Sequence, residues 1–124
     1  MRALFVDDEV EFLELMHKRL TRRGMEVVTA PDGQTALHLL DQAMQEGQTF
    51  EIVVMDVRMP GMDGLEALKA IRSKDSSANV VMCSAMGQEG MVMDAVRSGA
   101  KDFIVKPFKP DRVLKTVNNI LGTP

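Results

Sequence analysis

Short, mainly apolar runs alternate along the chain with longer segments in which apolar residues recur at helical spacing. The runs are rich in β-branched residues, and apolar runs of this length favour buried strands over helices. They predict five β-strands, at residues 3–6, 26–29, 52–55, 79–84 and 102–105. Because the apolar residues follow one another rather than alternating with polar ones, the strands are typical of a parallel sheet covered on both faces.

The segments between these runs predict five helices, each with an apolar stripe at a spacing of three or four residues. The stripes are Phe12, Leu13, Met16 and Leu20; Ala36, Leu37, Leu40 and Met44; Leu65, Leu68 and Ile71; Met91, Ala95 and Val96; and Val113, Leu114, Val117, Ile120 and Leu121. Three helices are expected to end at glycines, namely Gly24, Gly47 and Gly99. Asp32 and Asp63 are expected to be N-cap residues.

Strand and helix thus alternate five times, which predicts an α/β fold with a five-stranded parallel sheet and helices on both faces. Right-handed crossovers leave few topologies, and the flavodoxin-like (βα)5 arrangement with strand order 2-1-3-4-5 is expected. Pro31-Asp32-Gly33 is expected to separate the second strand from the second helix, and the polar residues 73–78 are expected to form a loop. No repeat or long linker divides the chain, so residues 1–124 are predicted to form a single domain.

Composition narrows the class of protein. Hydrophobic residues make up 45% of the 124 residues and charged residues 27%, which is typical of a globular protein. A net charge of −3 gives no basic surface for direct contact with nucleic acid, and no apolar run approaches the roughly 20 residues of a membrane span. A single cysteine excludes an internal disulfide framework, and a cytoplasmic location is expected.

Polar residues stand at the carboxyl ends of four predicted strands. Asp7 and Asp8 follow the first strand, Asp56 the third, Ser84 ends the fourth and Lys106 follows the fifth. In open α/β sheets ligands bind beyond these strand ends, so the side chains are expected to converge there. Three neighbouring carboxylates repel one another unless a cation lies among them, and carboxylate oxygens suit Mg²⁺.

This combination of groups is typical of phosphoryl chemistry. An aspartate can act as nucleophile on a phosphoryl group and form an aspartyl phosphate. A metal ion, the Lys106 ammonium, the Ser84 hydroxyl and the N–H of Ala85 would stabilise the phosphoryl oxygens. Simpler roles stay open for single residues: Asp7 or Asp8 could cap the first helix, Asp56 could form a turn, and Ser84 could be a hydrogen-bonded hydroxyl at a strand end.

Four motifs, in order, resemble the receiver domain of two-component response regulators, and the resemblance covers nearly the whole chain. They are Phe5-Val6-Asp7-Asp8-Glu9, the segment from Val54-Met55-Asp56 to Met62-Asp63-Gly64, Cys83-Ser84-Ala85, and the segment from Gly99-Ala100-Lys101 to Lys106-Pro107-Phe108. This family is a known instance of the flavodoxin-like strand order, so the fold and the family are not independent expectations.

The resemblance implies a role for each site residue. Asp56 would be the phosphoacceptor and would bind Mg²⁺ directly together with Asp8 and the backbone carbonyl of Arg58, while Asp7 would act on the metal largely through water. Lys106 would contact the phosphoryl group, and its bond to Pro107 is expected to be cis.

Two further residues would form the switch of such a receiver. Ser84 would turn toward the phosphoryl group, and Phe103 would swing inward behind it. Serine replaces the commoner threonine of the family and phenylalanine the commoner tyrosine, so a readout that hydrogen-bonds to a hydroxyl at position 103 is excluded.

The resemblance also implies partners. A sensor histidine kinase would donate the phosphoryl group, and the face formed by the fourth helix, fifth strand and fifth helix would bind an output domain or target protein, or a second copy in a phosphorylation-dependent homodimer. Met86, Met91 and Met93 could give that face an adaptable surface. Arg58 and Met86 would set the lifetime of the acyl phosphate. The domain would catalyse only its own phosphorylation and dephosphorylation, so it is not expected to be an enzyme.

The sequence leaves three alternatives to a receiver function. A phosphohydrolase resembling the haloacid dehalogenases needs a second aspartate two residues after the nucleophile, where this chain has Arg58. A flavin-binding electron carrier needs a phosphate-binding loop after the first strand, where Asp7-Asp8-Glu9 would repel the phosphate. An interaction module that works without phosphorylation is the third alternative.

Overall fold

A computed structural model describes residues 2–56, 64–75, 78–85, 89–106 and 109–122 of the chain. Five strands alternate with five helices. The strands are β1 (Arg2–Val6), β2 (Glu26–Ala30), β3 (Ile52–Asp56), β4 (Val80–Ala85) and β5 (Asp102–Lys106). The helices are α1 (Val10–Thr21), α2 (Gly33–Gln45), α3 (Gly64–Lys74), α4 (Glu89–Arg97) and α5 (Pro110–Leu121).

The strands form one parallel sheet in the order β2-β1-β3-β4-β5, which confirms the predicted flavodoxin-like fold. The chain order reverses between β1 and β3, and ligands of such sheets bind at this switch point. The register there pairs Val6 with Met55, so the residues that follow them, Asp7 and Asp56, come to the same edge of the sheet.

Two apolar clusters cover the two faces of the sheet, because successive residues of a buried strand point to opposite sides. One cluster packs α1 and α5 against residues such as Phe5, Val54 and Cys83. The other packs α2, α3 and α4 against residues such as Leu4 and Val53. The prediction of helices on both faces is therefore confirmed, and the strand ends are left as the polar edge of the domain.

Some local predictions were wrong. The predicted loop at residues 73–78 begins too early, because α3 continues through Lys74. Met44 and Val96, which belong to the predicted apolar stripes, do not face the core and are 43% and 48% exposed. The neighbouring residues Ala43, which lies outside the predicted stripe of α2, and Ala95 of α4 are buried in the cluster on that face of the sheet.

Two helix-end predictions are confirmed. The side chain of Asp32 accepts a hydrogen bond of 2.7 Å from the N–H of Thr35, as expected of an N-cap residue. Gly24 has φ of +86° after α1, and the N–H of Met25 donates to the carbonyl of Leu20 over 3.1 Å. This pairing needs a left-handed residue after the helix, which glycine adopts at little cost. No helix in the described part of the chain is long and apolar enough to cross a membrane.

Candidate functional site

Three aspartates meet at the edge of the sheet where β1 and β3 end. One carboxylate oxygen from each of Asp7, Asp8 and Asp56 can be chosen so that all three lie within 4.8 Å of one another. Asp7 is buried, Asp56 is partly buried and Asp8 is exposed, so the cluster opens to solvent on one side. Oxygen ligands from two or three carboxylates, with room for water, fit a small hard cation such as Mg²⁺.

The ammonium of Lys106 lies against this cluster. Lys106 Nζ donates to Asp56 Oδ2 over 2.9 Å and to Asp7 Oδ2 over 3.1 Å. The register explains the approach, since Ala85 of β4 pairs with Lys106 of β5 while Cys83 pairs with Asp56 of β3. The parallel ladder therefore brings the strand ends together, and the long lysine side chain covers the remaining distance.

The charges at this edge change the pKa values of the groups. Burial raises the pKa of Asp7 above its ordinary 3.8, although the N–H of Glu9 and the charge of Lys106 oppose this rise. Burial by itself would lower the pKa of Lys106, but the hydrogen bond and charge of Asp56, followed by those of Asp7, outweigh it and raise that pKa. Below the site, burial raises the pKa of the Cys83 thiol to about 12, so this residue packs as a small neutral group.

Ser84 lies one residue beyond Cys83 in β4. Its hydroxyl oxygen is buried and has no hydrogen-bond partner among the described residues. Buried hydroxyls normally have a partner, so an unpaired one beside an acidic cluster is available to a group that arrives there. Phe103 is partly buried and packs on the same face of the sheet as Met82, with which it pairs in register.

The alternative role of Asp7 or Asp8 as a helix cap is not observed. The N-cap residue of α1 is Glu9, whose side chain makes no cap hydrogen bond. Asp7 Oδ1 accepts a hydrogen bond of 2.9 Å from the N–H of Glu9, which precedes the first helical turn. That bond orients the Asp7 carboxylate and leaves its other oxygen to Lys106.

Two residues without an expected role also contact the Lys106 ammonium. Glu9 Oε1 lies 3.5 Å from Lys106 Nζ, and the centroid of the Phe12 ring lies 5.9 Å from it. The sequence signal for these two residues was their position, because Glu9 follows Asp7 by two residues and Phe12 follows it by five. This spacing places both near the beginning of α1, close to the strand ends. A charged glutamate and a helix-stripe phenylalanine are common there, so nothing in the sequence alone distinguished them.

Several predicted residues lie outside the described part of the chain. They are Arg58 with its backbone carbonyl, Asp63 as an N-cap, Met86, and Pro107 with its peptide bond. The side chain of Met91 is likewise outside that part, whereas Met93 is 54% exposed on α4.

The sheet has the order β2-β1-β3-β4-β5, and three aspartates and a lysine lie at its switch point. These features place the chain in the class of flavodoxin-like α/β proteins. The comparisons with known proteins make the class specific. The family model of the response regulator receiver domain matches residues 3–118. The chain therefore belongs to the response regulator receiver family and is a two-component receiver, in which phosphorylation is the chemistry that the family implies.

Individual relatives agree with this assignment. The chain is 47% identical over 123 residues to the chemotaxis protein CheY of Bacillus subtilis, with 98% of each chain covered. It is 48% identical over 119 residues to the chemotaxis protein CheY of Listeria monocytogenes, with 94% of this chain and 96% of that chain covered. The crystal structure of the receiver domain of NtrX from Brucella abortus superposes with a TM-score of 0.86 at 35% identity, with 98% and 99% of the two chains covered.

Proposed function

We propose that residues 1–124 form one receiver domain in which Asp56 accepts a phosphoryl group from a sensor histidine kinase. The observation that carries this proposal is the position of Asp56, which ends a buried strand with Asp7 and Asp8 on one side and the Lys106 ammonium 2.9 Å away. A carboxylate so placed is held by a rigid strand and remains partly open to solvent.

Asp56 supplies the nucleophile. Its carboxylate is fixed by the hydrogen bond from Lys106 and can attack a phosphorus atom that enters from the open side of the cluster. The aspartyl phosphate that forms carries more negative charge than the carboxylate did. Lys106 is already at the position where this charge develops, so its ammonium can contact a phosphoryl oxygen after a small movement.

Asp7, Asp8 and Asp56 are the described residues that would hold Mg²⁺, and the backbone carbonyl of Arg58 is expected to complete the protein ligands. Bound there, the ion would offset negative charge on the phosphoryl oxygens during transfer. Asp7 is more deeply buried than Asp8 and is hydrogen-bonded to Lys106, which supports a role for Asp7 through water and for Asp8 as a direct ligand.

Ser84 and Phe103 form the switch in this proposal. The unpaired Ser84 hydroxyl can donate to a phosphoryl oxygen on Asp56, since β4 lies beside β3. Its movement would vacate space on the face of the sheet where Phe103 packs. The charge at Asp56 differs between the unphosphorylated and the phosphorylated state, and this difference would bias the conformation of β4 and β5.

The surface of α4, β5 and α5 is the proposed output surface. Three of its apolar side chains, Met93, Val96 and Val105, are between 43% and 54% exposed. Exposed apolar side chains on neighbouring elements suit a protein partner, either a separate target, an output domain or a second copy of this domain. The domain would act only on itself rather than on a free substrate, and it would work in the cytoplasm.

The test is Mg²⁺-dependent labelling by a small phosphodonor, read by intact mass, with the unaltered protein and Asp56→Asn. The unaltered protein should gain the mass of one phosphoryl group only with Mg²⁺, and Asp56→Asn should gain none. Asp41→Asn, which changes a surface carboxylate paired with Lys74, should be labelled normally.

Labelling of Asp56→Asn to the same extent would refute the assignment. Absence of labelling in the unaltered protein, with Mg²⁺ bound, would instead favour an interaction module that does not use phosphorylation. Size measurement before and after labelling tests the proposed homodimer in the same samples.

A further inference from the structure

Glu9 occupies the N-cap position of α1 without capping the helix. Its backbone is extended, as is usual there, but its side chain accepts no hydrogen bond from the first turn. Serine, threonine, aspartate and asparagine are preferred at this position because their short side chains reach those N–H groups. The glutamate side chain is directed elsewhere, toward Lys106.

The Glu9 carboxylate gives Lys106 a third acidic partner. Glu9 Oε1 lies 3.5 Å from Lys106 Nζ, and the Glu9 side chain is 67% exposed, whereas the side chains of Asp7 and Asp56 are 2% and 12% exposed. Glu9 therefore stands on the solvent side of the ammonium. A phosphodonor oxygen that contacts the Lys106 ammonium therefore also comes close to the Glu9 carboxylate.

A fixed negative charge at this place discriminates between donors by their charge. Coulomb repulsion is proportional to the charge of the incoming anion, so a doubly charged donor is opposed more strongly than a singly charged one. Solvent and salt screen an exposed carboxylate, so the effect is modest and depends on ionic strength.

We infer that Glu9 is a specificity-determining residue at the rim of the site, which selects against doubly charged acyl phosphates relative to phosphoramidates of lower charge. The inference rests on the proposed role of Asp56 as phosphoacceptor. A phosphorylated histidine whose imidazole ring is protonated has the same lower net charge, because the ring cation offsets one negative charge of the phosphoryl group. Glu9 would thus favour transfer from a histidine over direct reaction with free acyl phosphates.

The chemistry of the two donors differs only in the bond that breaks. In each case an Asp56 oxygen forms a bond to phosphorus. With acetyl phosphate the bond from phosphorus to the acyl oxygen breaks, and acetate leaves with the bonding electrons. With phosphoramidate the bond from phosphorus to nitrogen breaks, and the nitrogen, already protonated in the reactive form, leaves as ammonia.

The test compares Glu9→Gln with the unaltered protein at neutral pH and saturating Mg²⁺, using acetyl phosphate and phosphoramidate. Glu9→Gln should raise the second-order rate constant for acetyl phosphate roughly two- to fivefold, as expected for loss of one exposed charge. For phosphoramidate the gain should be about the square root of that factor, because the donor carries about half the charge. Added salt should reduce both gains.

Glu9→Ala removes the same charge and should change the ratio of the two rate constants equally. Glu11→Gln is the matched control, since Glu11 is exposed in the first turn of the same helix and should change that ratio less. Thermal unfolding confirms that each variant is folded.

Equal gains with both donors, or no gain with acetyl phosphate, would overturn the inference while leaving Asp56 as the phosphoacceptor. A failure of both donors to label the unaltered protein would overturn the proposed function itself, and this inference with it.

Discussion

Lys106 Nζ donates a hydrogen bond to Asp7 Oδ2 over 3.1 Å, although 99 residues separate the two along the chain. The same ammonium also bonds Asp56 Oδ2 at 2.9 Å. Lys106 ends the edge strand β5, so its side chain reaches past β4 to the ends of β3 and β1. One cation thus joins the ends of three strands and partly neutralises two carboxylates that would otherwise repel each other.

Asp7→Asn should raise the free energy of unfolding at neutral pH without Mg²⁺. Burial raises the pKa of Asp7 in the folded protein, so the folded state holds its proton more tightly than the unfolded state does. The stability that this protonated group contributes is present below its unfolded pKa, near 3.8, and is lost as pH rises through the raised folded pKa. The asparagine variant does not titrate and avoids that loss.

Denaturant unfolding at a series of pH values measures this difference. The stability advantage of Asp7→Asn should shrink as pH falls and should vanish below about 3.8, where Asp7 is neutral in both the folded and the unfolded state. Added Mg²⁺ should reduce this advantage, because the ion binds the folded unaltered protein, with Asp7 in place, more tightly than the variant. An advantage that is independent of pH would contradict the assignment to Asp7.

Ser84→Ala should separate stability from signalling. The buried hydroxyl of Ser84 lacks a partner among the described residues, so its removal should leave the free energy of unfolding unchanged or raise it by up to about 1 kcal/mol. The phosphorylated variant should lose its altered affinity for a partner, since no hydroxyl can contact the phosphoryl group. Ser84→Thr keeps the hydroxyl and is the control. A large loss of stability in Ser84→Ala would show that the hydroxyl is bonded in solution.

Asp32→Ala should destabilise the protein by about 1 kcal/mol, the usual effect of losing an N-cap side chain. The hydrogen bond from the N–H of Thr35 lowers the pKa of Asp32. The stabilisation that ionised Asp32 contributes to the folded state is therefore present above the unfolded pKa, near 3.8. It is lost as pH falls through the lowered folded pKa. Thermal unfolding should show the two proteins converging at acid pH. Asp32→Ser, which keeps a capping oxygen, should retain most of the stability at every pH.

Gly99→Ala should destabilise the protein more than Gly24→Ala does. Both glycines have positive φ, +103° and +86°, so each alanine adds a conformational cost of about 1–2 kcal/mol. A Cβ at Gly99 would also lie 2.8 Å from Nε of Arg72, whereas nothing lies within 4 Å of a Cβ at Gly24. Arg72 cannot move freely, because its guanidinium donates to the carbonyl of Ala78 over 3.0 Å.

A double-mutant cycle with Arg72→Ala tests the steric part of this effect. If Arg72 causes the extra cost, its removal should bring Gly99→Ala to the level of Gly24→Ala. Equal costs for the two glycine variants in the unaltered background would rule out a clash with Arg72.

The order of the elements was predictable from the sequence because each strand contains a short apolar run and each helix has an apolar stripe. Helix stripes were less predictable, as Met44 and Val96 show by their exposure. A stripe wider than the contact with the sheet contains more apolar residues than the core can bury. Which of them faces inward is set by how the helix lies on the sheet, and that depends on neighbouring elements.

The sequence by itself determined the chemistry of the candidate site, because Asp7, Asp8, Asp56, Ser84 and Lys106 each follow or end an apolar run, and parallel strands bring such ends to one edge. Only the tertiary structure decided how those groups share their charges. The reach of Lys106 across β4, the burial of Asp7 and the turn of Glu9 toward the ammonium follow from register and from packing between distant segments. Neither the distance between such segments nor the burial of their side chains is encoded at any one position of the chain.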